Sequence, residues 1–193
     1  MTHYIHRESS VKVYLARQIQ QREVLKKGEF KLNSEILSDY YYDFSRFNDA
    51  KGLIDLGFVI SKTIKDLNLK FDILMGTAYK GIILCLATAM YSFQMEGKNV
   101  QWTFDRKEFK QHGEGGQLIG TDITNKDVLL VDDVVTSGKA LQRAITTAQA
   151  QHTKSVQCLA LIDRTTQKLP LNLYTVLTHK ECINLLNFNV IGR

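Results

Sequence analysis

The order of apolar and polar positions along the chain predicts short buried strands that alternate with helices. Short apolar runs predict strands at residues 71–75, 100–104, 127–131, 156–163 and 174–178. Apolar residues at helical spacing predict helices at residues 9–25, 47–67, 80–93, 138–151 and 181–188. Such alternation is typical of βαβ units, so we expect an α/β protein with a central, mostly parallel sheet flanked by helices.

Two segments do not follow this alternation. Residues 26–43 begin with a Lys-Lys-Gly stop after the first helix, and we expect irregular or extended chain there. Residues 106–120, called the lid below, combine cations and a histidine with closely spaced glycines, so they form neither a strand nor a good helix throughout. Long glycine-rich segments inside compact domains are usually binding loops, and we therefore expect the lid to be mobile.

Size and composition predict one soluble domain. The chain has 193 residues, 44% of them hydrophobic and 23% charged, with a single proline at Pro170. The N-terminus lacks the apolar core of a signal peptide, and the longest apolar run, residues 82–91, is too short to span a bilayer. Cys85, Cys158 and Cys182 lie far apart in apolar surroundings, which favours buried, reduced thiols. We expect a cytoplasmic protein.

The net charge of +5 fits an anionic small molecule, although charge alone leaves a nucleic acid or an acidic membrane surface open. Polar segments follow several predicted strands, at residues 76–80, from 105 onward, at 132–139 and at 163–164. Ligands of parallel sheets bind beyond the carboxyl ends of the strands, so we expect these segments to meet at one site.

Residues 128–141 carry the most informative chemistry. An apolar strand leads to Asp132 and Asp133, and the Thr-Ser-Gly turn at 136–138 opens the next helix. Free N–H groups at a helix N-terminus suit a phosphate, and paired carboxylates suit the hydroxyls of a sugar, so this segment predicts a sugar-phosphate site. The alternatives are acids that merely end the strand, or a Walker B-type acid beside a nucleotide. No Gly-x-x-x-x-Gly-Lys-Ser/Thr loop accompanies them.

Several stretches resemble known motifs. The segment from Leu130 to Gly138, Leu-Val-Asp-Asp-Val-Val-Thr-Ser-Gly, resembles the phosphoribosyl-diphosphate (PRPP) motif of type I phosphoribosyltransferases. Residues 106–116, with the pattern Arg-Lys-x-x-Lys-x-His, are similar to the lid signature of the orotate phosphoribosyltransferase family. Residues 25–32 and 76–81 resemble that family too, and the matches run in family order from about residue 25 to Arg164.

The resemblance implies the type I phosphoribosyltransferase fold in a single domain. About residues 1–45 would form an N-terminal helix and hood, residues 46–193 the α/β core, and residues 106–120 the mobile lid. The implied reaction transfers phosphoribosyl from PRPP to orotate and yields orotidine 5-phosphate and pyrophosphate, a step of pyrimidine biosynthesis. Magnesium would come mainly with PRPP, so no protein metal ligand is expected.

The resemblance further implies a homodimer whose lid reaches into the neighbouring subunit's site. It implies no nucleic-acid or membrane partner, and we expect no decarboxylase domain after Arg193.

The family's roles map onto residues of this chain. The 5-phosphate is expected at Thr136, Ser137, Gly138, Lys139 and Ala140. The ribose hydroxyls and the developing ring cation are expected at Asp132 and Asp133. The departing pyrophosphate is expected at Arg106, Lys107, Lys110 and His112, with Lys80 opposite. Orotate is expected at Lys26, Tyr41, Tyr42 and Arg164.

Other interpretations of single residues stay open. Lys26 would be simply solvated, Tyr41 and Tyr42 would be core or interface aromatics, and Arg164 would pair with Asp163 at the surface. No role is assigned to His3, His6, His152 and His179.

The chain also departs from the family pattern. Thr77 replaces a common proline, Phe109 a small residue and Lys139 a threonine, while Asn33-Ser34-Glu35 differs from the usual Ser-Gly. Two rival functions follow: transfer to another nucleobase, or a PRPP-sensing regulator that binds nucleic acid. The cationic lid favours the enzyme, because a sensor has no need of it.

Overall fold

Alternating strands and helices build one central sheet. A computed structural model describes residues 10–31, 37–110 and 116–191, except for the side chains at 31, 107–110, 116 and 188–191. The strands are β1 Leu25–Lys31, β2 Leu37–Tyr42, β3 Ile73–Gly76, β4 Gln101–Lys110, β5 Gly116–Gly120, β6 Asp127–Val135, β7 Ser155–Asp163 and β8 Leu173–Thr178. The helices are α1 Val11–Gln21, α2 Ala50–Asp66, α3 Lys80–Glu96, α4 Lys139–Ala150 and α5 His179–Ile191, with a 3₁₀ turn at Phe44–Arg46.

The main sheet has six strands in the order β5-β4-β3-β6-β7-β8. Strands β4, β3, β6, β7 and β8 are parallel, and only the edge strand β5 runs antiparallel to its neighbour. This confirms the mostly parallel sheet. Strand β3 ends at Gly76, opposite Val131, while β6 continues to Val135. The early end of β3 leaves a cleft beside the carboxyl end of β6.

Each face of the sheet has its own hydrophobic core, because successive strand residues point to opposite faces. On one face, Leu74, Leu129 and Leu159 pack with buried residues of α1, α2 and α3. On the other face, Met75 and Leu130 pack with buried residues of α4. The strands are therefore apolar on both sides up to Asp132, which fixes where the first polar residues emerge.

The helix starts follow local capping chemistry. The Ser10 hydroxyl accepts the Lys12 N–H ahead of α1, and the Asp49 carboxylate accepts the Gly52 N–H at 2.6 Å ahead of α2. In the described part of the chain, no helix is both long and apolar enough to cross a membrane.

In the segment 26–43, expected to be irregular or extended, the described parts are β1 and β2, which pair as the two arms of an antiparallel hairpin. Residues 32–36, with the Asn33-Ser34-Glu35 departure, lie outside the described residues. Strand β1 pairs with β2 so that Leu25 faces Tyr42 and Lys26 faces Tyr41. The register shifts between Lys27 and Phe30, around Gly28 with φ of 151°. The three consecutive tyrosines favour a strand, and cross-strand pairing outweighs the charged residues of β1.

The lid differs from the expected loop in its secondary structure. Strand β4 runs on through residues 106–110, and β5 at residues 116–120 returns beside it, with Lys110 facing Gly116. Strand β5 pairs with residues 103–105 and with Lys110, and the register shifts between Asp105 and Lys110. The charged pattern of residues 106–110 hides this extension, because backbone pairing does not depend on apolar alternation. Residues 111–115 lie outside the described residues.

Candidate active site

A cleft of about 710 Å³ opens beyond the carboxyl end of β6. The segments around it are the hairpin β1-β2, the loop after β3, the end of β6, the turn into α4, and the residue after β7. It is lined by Glu29, Phe30, Tyr41, Tyr42, Thr77, Ala78, Tyr79, Lys80, the run 132–141, and Arg164. The structure thus brings together three of the four segments expected to meet there, those at 76–80, 132–139 and 163–164, while the segment from 105 onward does not line the cleft.

Asp132 and Asp133 stand at the centre of the cleft as successive residues of β6. Asp132 Oδ1 accepts the Thr77 hydroxyl at 2.7 Å and the Asp133 N–H at 3.0 Å. Asp133 Oδ1 accepts the Val134 N–H at 2.9 Å, and its Oδ2 lies 3.2 Å from Lys80 Nζ. Both residues are buried, with 7% and 8% of their surface exposed. Two nearly dry carboxylates in a cleft are a costly arrangement in a protein without a ligand for them.

Asp132 and Asp133 differ in the charges and burial around their carboxylates. Burial raises the pKa of Asp132 to about 7, and the charge of Asp133 adds to the rise, while the Thr77 hydrogen bond opposes it. Asp133 has a cation beside it in Lys80. Burial lowers the pKa of Lys80, but the charge and hydrogen bond of Asp133, together with those of Tyr41, outweigh burial, and the pKa of Lys80 is raised overall. Lys80 therefore stays charged at neutral pH.

The loop between β3 and α3 packs closely against β6. A Cβ at Gly81 would lie 2.5 Å from the Val131 carbonyl oxygen, and one at Gly76 would lie 2.5 Å from the Gly81 carbonyl oxygen. Only glycine allows this approach. It brings Thr77 to Asp132 and Lys80 to Asp133.

The turn into α4 is built as an anion cradle. Gly138 is the N-cap with φ of 74°, and a Cβ there would lie 2.7 Å from Leu169 Cδ1. Because the first helical hydrogen bond runs from the Gln142 N–H to the Gly138 carbonyl, the N–H groups of residues 139–141 have no acceptor within the helix. Thr136 and Ser137 add hydroxyls, and Lys139 adds a cation to the positive end of the helix dipole.

The opposite end of the cleft is aromatic and basic. The Tyr41 ring packs 5.7 Å from the Phe30 ring, and Lys80 Nζ lies 5.5 Å from the Tyr41 ring centre. The Arg164 guanidinium lies 5.8 Å from the Tyr42 ring and donates to the Ser38 hydroxyl at 2.5 Å. A planar, anionic molecule fits between such groups.

This end of the cleft also decides two open interpretations. Tyr42 lines the cleft yet is only 2% exposed, so it is at once a core and a cleft residue. The alternative of a surface pair between Arg164 and Asp163 is wrong, because Asp163 accepts the Thr165 N–H at 2.7 Å and Arg164 turns into the cleft.

Five expected site residues are not brought to the cleft by the described atoms. Lys26 Nζ lies 3.7 Å from Glu23 Oε2, and Lys26 does not line the cleft, although it faces Tyr41 across the hairpin. Arg106 does not line it either, and its buried Nε has no hydrogen-bond partner among the described residues. The side chains of Lys107 and Lys110, and all of His112, lie outside the described part.

Comparison with known proteins places this cleft in a family. The sequence profile of the phosphoribosyl transferase domain matches residues 45–189. An orotate phosphoribosyltransferase of Schizosaccharomyces pombe is 39% identical over 155 residues, covering 80% of this chain and 72% of that protein. One from Pseudomonas putida strain W619 is 41% identical over 143 residues, covering 74% and 67%.

This chain belongs to the orotate phosphoribosyltransferase family. The crystal structure of the Francisella tularensis orotate phosphoribosyltransferase matches it with a TM-score of 0.74 and 28% identity, over 91% of this chain and 90% of that one. The family and the type I phosphoribosyltransferase fold expected from the motifs at residues 106–116 and 130–138 are confirmed.

Sequence reasoning missed other residues of this orotate phosphoribosyltransferase cleft. The sequence pattern marks Thr77 only as a departure from the family, yet its hydroxyl donates to Asp132. Phe30 lines the cleft and lies in a recognised motif, which was a usable signal. His179, left without a role, contacts the Tyr42 hydroxyl at 2.9 Å through Nδ1. No sequence signal predicts that contact, because it joins residues 137 positions apart.

Proposed function

We propose that the protein transfers the phosphoribosyl group of PRPP to orotate, releasing pyrophosphate and forming orotidine 5-phosphate. One observation carries the proposal: a single cleft joins an anion cradle at 136–140, a pair of buried carboxylates, and an aromatic, arginine-containing end. The three parts match, in order, the phosphate, the ribose and the base of the product. The membership of the chain in the orotate phosphoribosyltransferase family supports the same order.

The cradle and the carboxylates would hold the phosphoribosyl group. The N–H groups of residues 137–140 and the Thr136 hydroxyl would donate to the 5-phosphate, with the Lys139 ammonium in place of a second hydroxyl. Asp132 and Asp133 would accept the ribose 2- and 3-hydroxyls. Their charge also favours the positive character that develops on the ring as the bond to pyrophosphate breaks.

The remaining chemistry is mostly positioning. The anomeric carbon passes between a leaving pyrophosphate and an incoming orotate nitrogen, so the protein needs to hold both in line and exclude water. Lys80 and the lid residues Arg106, Lys107, Lys110 and His112 would bind the pyrophosphate. Among the described residues the buried Nε of Arg106 has no hydrogen-bond acceptor, which supports a ligand contact for this group, because a buried N–H group is costly until an acceptor is provided.

The family implies magnesium with PRPP, and the donor set fits a metal held mainly by the substrate. Among the described residues, no group of three histidines, cysteines or acids forms a metal site. Magnesium is commonly bound through one or two carboxylates plus substrate phosphates, and Asp132 and Asp133 are such carboxylates. When bound, it would neutralise charge on the pyrophosphate.

The basic and aromatic end would take orotate. The guanidinium of Arg164 would pair with its carboxylate, and the rings of Phe30 and Tyr41 would cover the flat pyrimidine. Lys26, across the hairpin from Tyr41, would approach from the side of β1.

An absorbance assay tests the reaction. Orotate absorbance in the ultraviolet should fall only when protein, PRPP and magnesium are all present. Uracil and adenine, offered in place of orotate, should not be consumed, because neither carries a carboxylate for Arg164. Consumption of another base without any consumption of orotate would overturn the assignment and favour the first rival function.

We also propose that the protein works as a homodimer through α3. Ile83, Met90 and Phe93 lie on one face of that helix, at spacings of seven and three, and are 49%, 61% and 61% exposed. Large apolar side chains in a row on one helix are typical of a covered interface. A second copy would bury this face by the two-fold symmetry of most homodimers.

Charge placed on this face should break the dimer. Phe93→Glu is expected to shift the mass in analytical ultracentrifugation from dimer to monomer, because an ionised carboxylate is too costly to bury at an apolar contact. Gln149→Glu, an equal charge on the exposed end of α4, is the matched control and should stay dimeric. A monomeric parent protein, or a dimeric Phe93→Glu variant, would contradict this interface.

The shared lid is tested by mixing two impaired variants. Lys110→Ala impairs the lid, and Asp133→Asn impairs the cleft. If each lid serves the partner's cleft, half of the random dimers are mixed and each has one intact site, so exchange should restore about one quarter of the parent activity. No recovery after demonstrated subunit exchange would show that each lid serves its own subunit.

The three cysteines bear on location. Cys85, Cys158 and Cys182 are all buried and free. Burial raises the pKa of Cys85 and of Cys158 to about 12, so both stay protonated and inert. Unpaired thiols fit a reducing compartment, and we propose a cytoplasmic location.

A further inference from the structure

Asp105 is a fully buried carboxylate that none of the roles above uses. It lies in β4 immediately before Arg106, the first lid residue, and its side chain has 0% of its surface exposed. Its Oδ1 accepts the Ala78 N–H at 2.8 Å, and its Oδ2 accepts from the Arg143 guanidinium at 3.1 Å. An ionised group at this depth persists only with good partners, so these two contacts determine its position.

The two contacts link three segments around the cleft. Ala78 belongs to the loop between β3 and α3, Arg143 belongs to the first turns of α4, and Asp105 lies in β4 directly before the lid. Contacts with β6 flank Ala78 on both sides in the chain. Before it, the Thr77 hydroxyl donates to Asp132, and after it, Lys80 forms an ion pair with Asp133. The Thr77 N–H also donates to the Val131 carbonyl oxygen at 3.3 Å. These contacts all come from β6, whereas the contact from Asp105 comes from β4.

We propose that Asp105 is a positioning residue for the pyrophosphate side of the reaction. By accepting the Ala78 N–H, Asp105 holds the loop that leads into Lys80. Because Asp105 directly precedes Arg106 in the chain, it also connects that loop to the start of the lid. The contact with Arg143 holds the carboxylate in place, with its other oxygen on the Ala78 N–H. The inference rests on the proposed function, because the loop matters to PRPP only if PRPP occupies this cleft.

The predicted consequence falls on PRPP rather than on orotate. Without the hydrogen bond from the Ala78 N–H to Asp105, the loop loses its contact with β4. We expect Lys80 then to shift away from its position beside the leaving pyrophosphate. A displacement of about 1 Å in a positioning group lowers turnover by up to about a hundredfold. Asp105→Ala should therefore raise KM for PRPP and lower kcat, each by about tenfold, with KM for orotate changed less than about threefold.

Conservative variants separate positioning from mere stability. Asp105→Asn keeps an oxygen for the Ala78 N–H but turns an amide N–H₂ towards Arg143, so two donors meet. Arg143→Gln added to Asp105→Asn provides an acceptor for that amide and should restore most of the PRPP affinity that Asp105→Asn loses. This recovery is the coupling that a double-mutant cycle measures. Two losses that simply add would overturn the proposal.

Asp55→Ala is the matched control. Asp55 is equally a buried carboxylate, 2% exposed, and it accepts from Tyr14 at 2.7 Å and Arg22 at 3.4 Å, away from the cleft. Its loss should lower the melting temperature without a selective change in KM for PRPP. If Asp105→Ala likewise lowers only the melting temperature, Asp105 has a purely structural role.

Equilibrium binding of PRPP with magnesium, measured by calorimetry, separates this proposal from the proposed reaction. If the parent protein binds PRPP but consumes no orotate, the reaction assignment fails. The dissociation constants of the Asp105 variants for PRPP then still test the positioning role of Asp105. A parent that binds PRPP, together with an Asp105→Ala variant that binds it equally well, would overturn the positioning role alone.

Discussion

Replacing Lys110 with alanine is expected to slow turnover of orotate by about two orders of magnitude or more, the size of effect seen when one electrostatic contact to a transition state is lost. Lys110 ends β4 and faces Gly116 at the start of β5, so it stands where the hairpin arms of the lid part. Charge builds on the pyrophosphate as its bond to the ribose breaks. A cation supplied there by the lid would stabilise the transition state more than the bound substrate.

The kinetic pattern distinguishes this role from a folding defect. Lys110→Ala should lower kcat strongly, leave the melting temperature within about 1 °C, and change equilibrium binding of orotate little, because a catalytic cation acts on the transition state and not on the folded chain or the bound base. Lys154→Ala removes another lysine, paired with Asp127 at 2.7 Å on the exposed edge between β6 and β7, and serves as the control. Near-parent turnover in Lys110→Ala would mean that the lid has no catalytic cation at this position.

Asp132→Asn is expected to make the protein both less active and more stable. Activity should fall about a hundredfold. A neutral amide accepts a hydrogen bond from a ribose hydroxyl less strongly than a carboxylate does, and it does not stabilise the positive charge on the ribose ring. The melting temperature should rise. The wild-type chain holds a buried carboxylate against the charge of Asp133, and asparagine removes that repulsion while its oxygen still accepts the Thr77 hydroxyl.

The gain in stability should depend on pH in a definite direction. Burial raises the pKa of Asp132 in the folded protein to about 7, whereas in the unfolded chain the pKa is about 3.9. Between these values the folded state holds a proton that the unfolded chain has lost. The free energy of unfolding therefore falls as pH rises from about 4 to about 7 and is level above that. Asparagine does not titrate, so its advantage should be larger near pH 8 than near pH 5.

Melting curves at the two pH values check this prediction. Asp122→Asn is the control, because hydrogen bonds from the Thr124 N–H and hydroxyl lower the pKa of Asp122, and its loss should bring no stabilisation. An Asp132→Asn variant that is less stable than the parent at pH 8 would mean that Asp132 is not strained in the free cleft.

Much of the fold was predictable because the central strands are apolar on both faces. The runs at 127–131 and 156–163 mark buried strands without ambiguity, and β6 and β7 lie there. The hairpin β1-β2 was not predictable in the same way. Its charged and aromatic residues have no clean alternation, and its strands are held by pairing with each other. The arms of the lid were missed for the same reason.

The candidate site likewise has parts that the sequence predicts and parts that only the tertiary structure shows. The sequence by itself determined the phosphate cradle and the Asp pair, because a strand, a turn and a helix start that are contiguous in the chain build them. It also determined the family, through motifs that span residues 25 to 164. Only the tertiary structure decided which side chains tune this chemistry: Thr77 on Asp132, Lys80 on Asp133, and Asp105 on the loop beside them. These contacts join residues 27 to 55 positions apart. The order of the strands in the sheet brings these residues together, and the local sequence does not predict which strands lie next to each other.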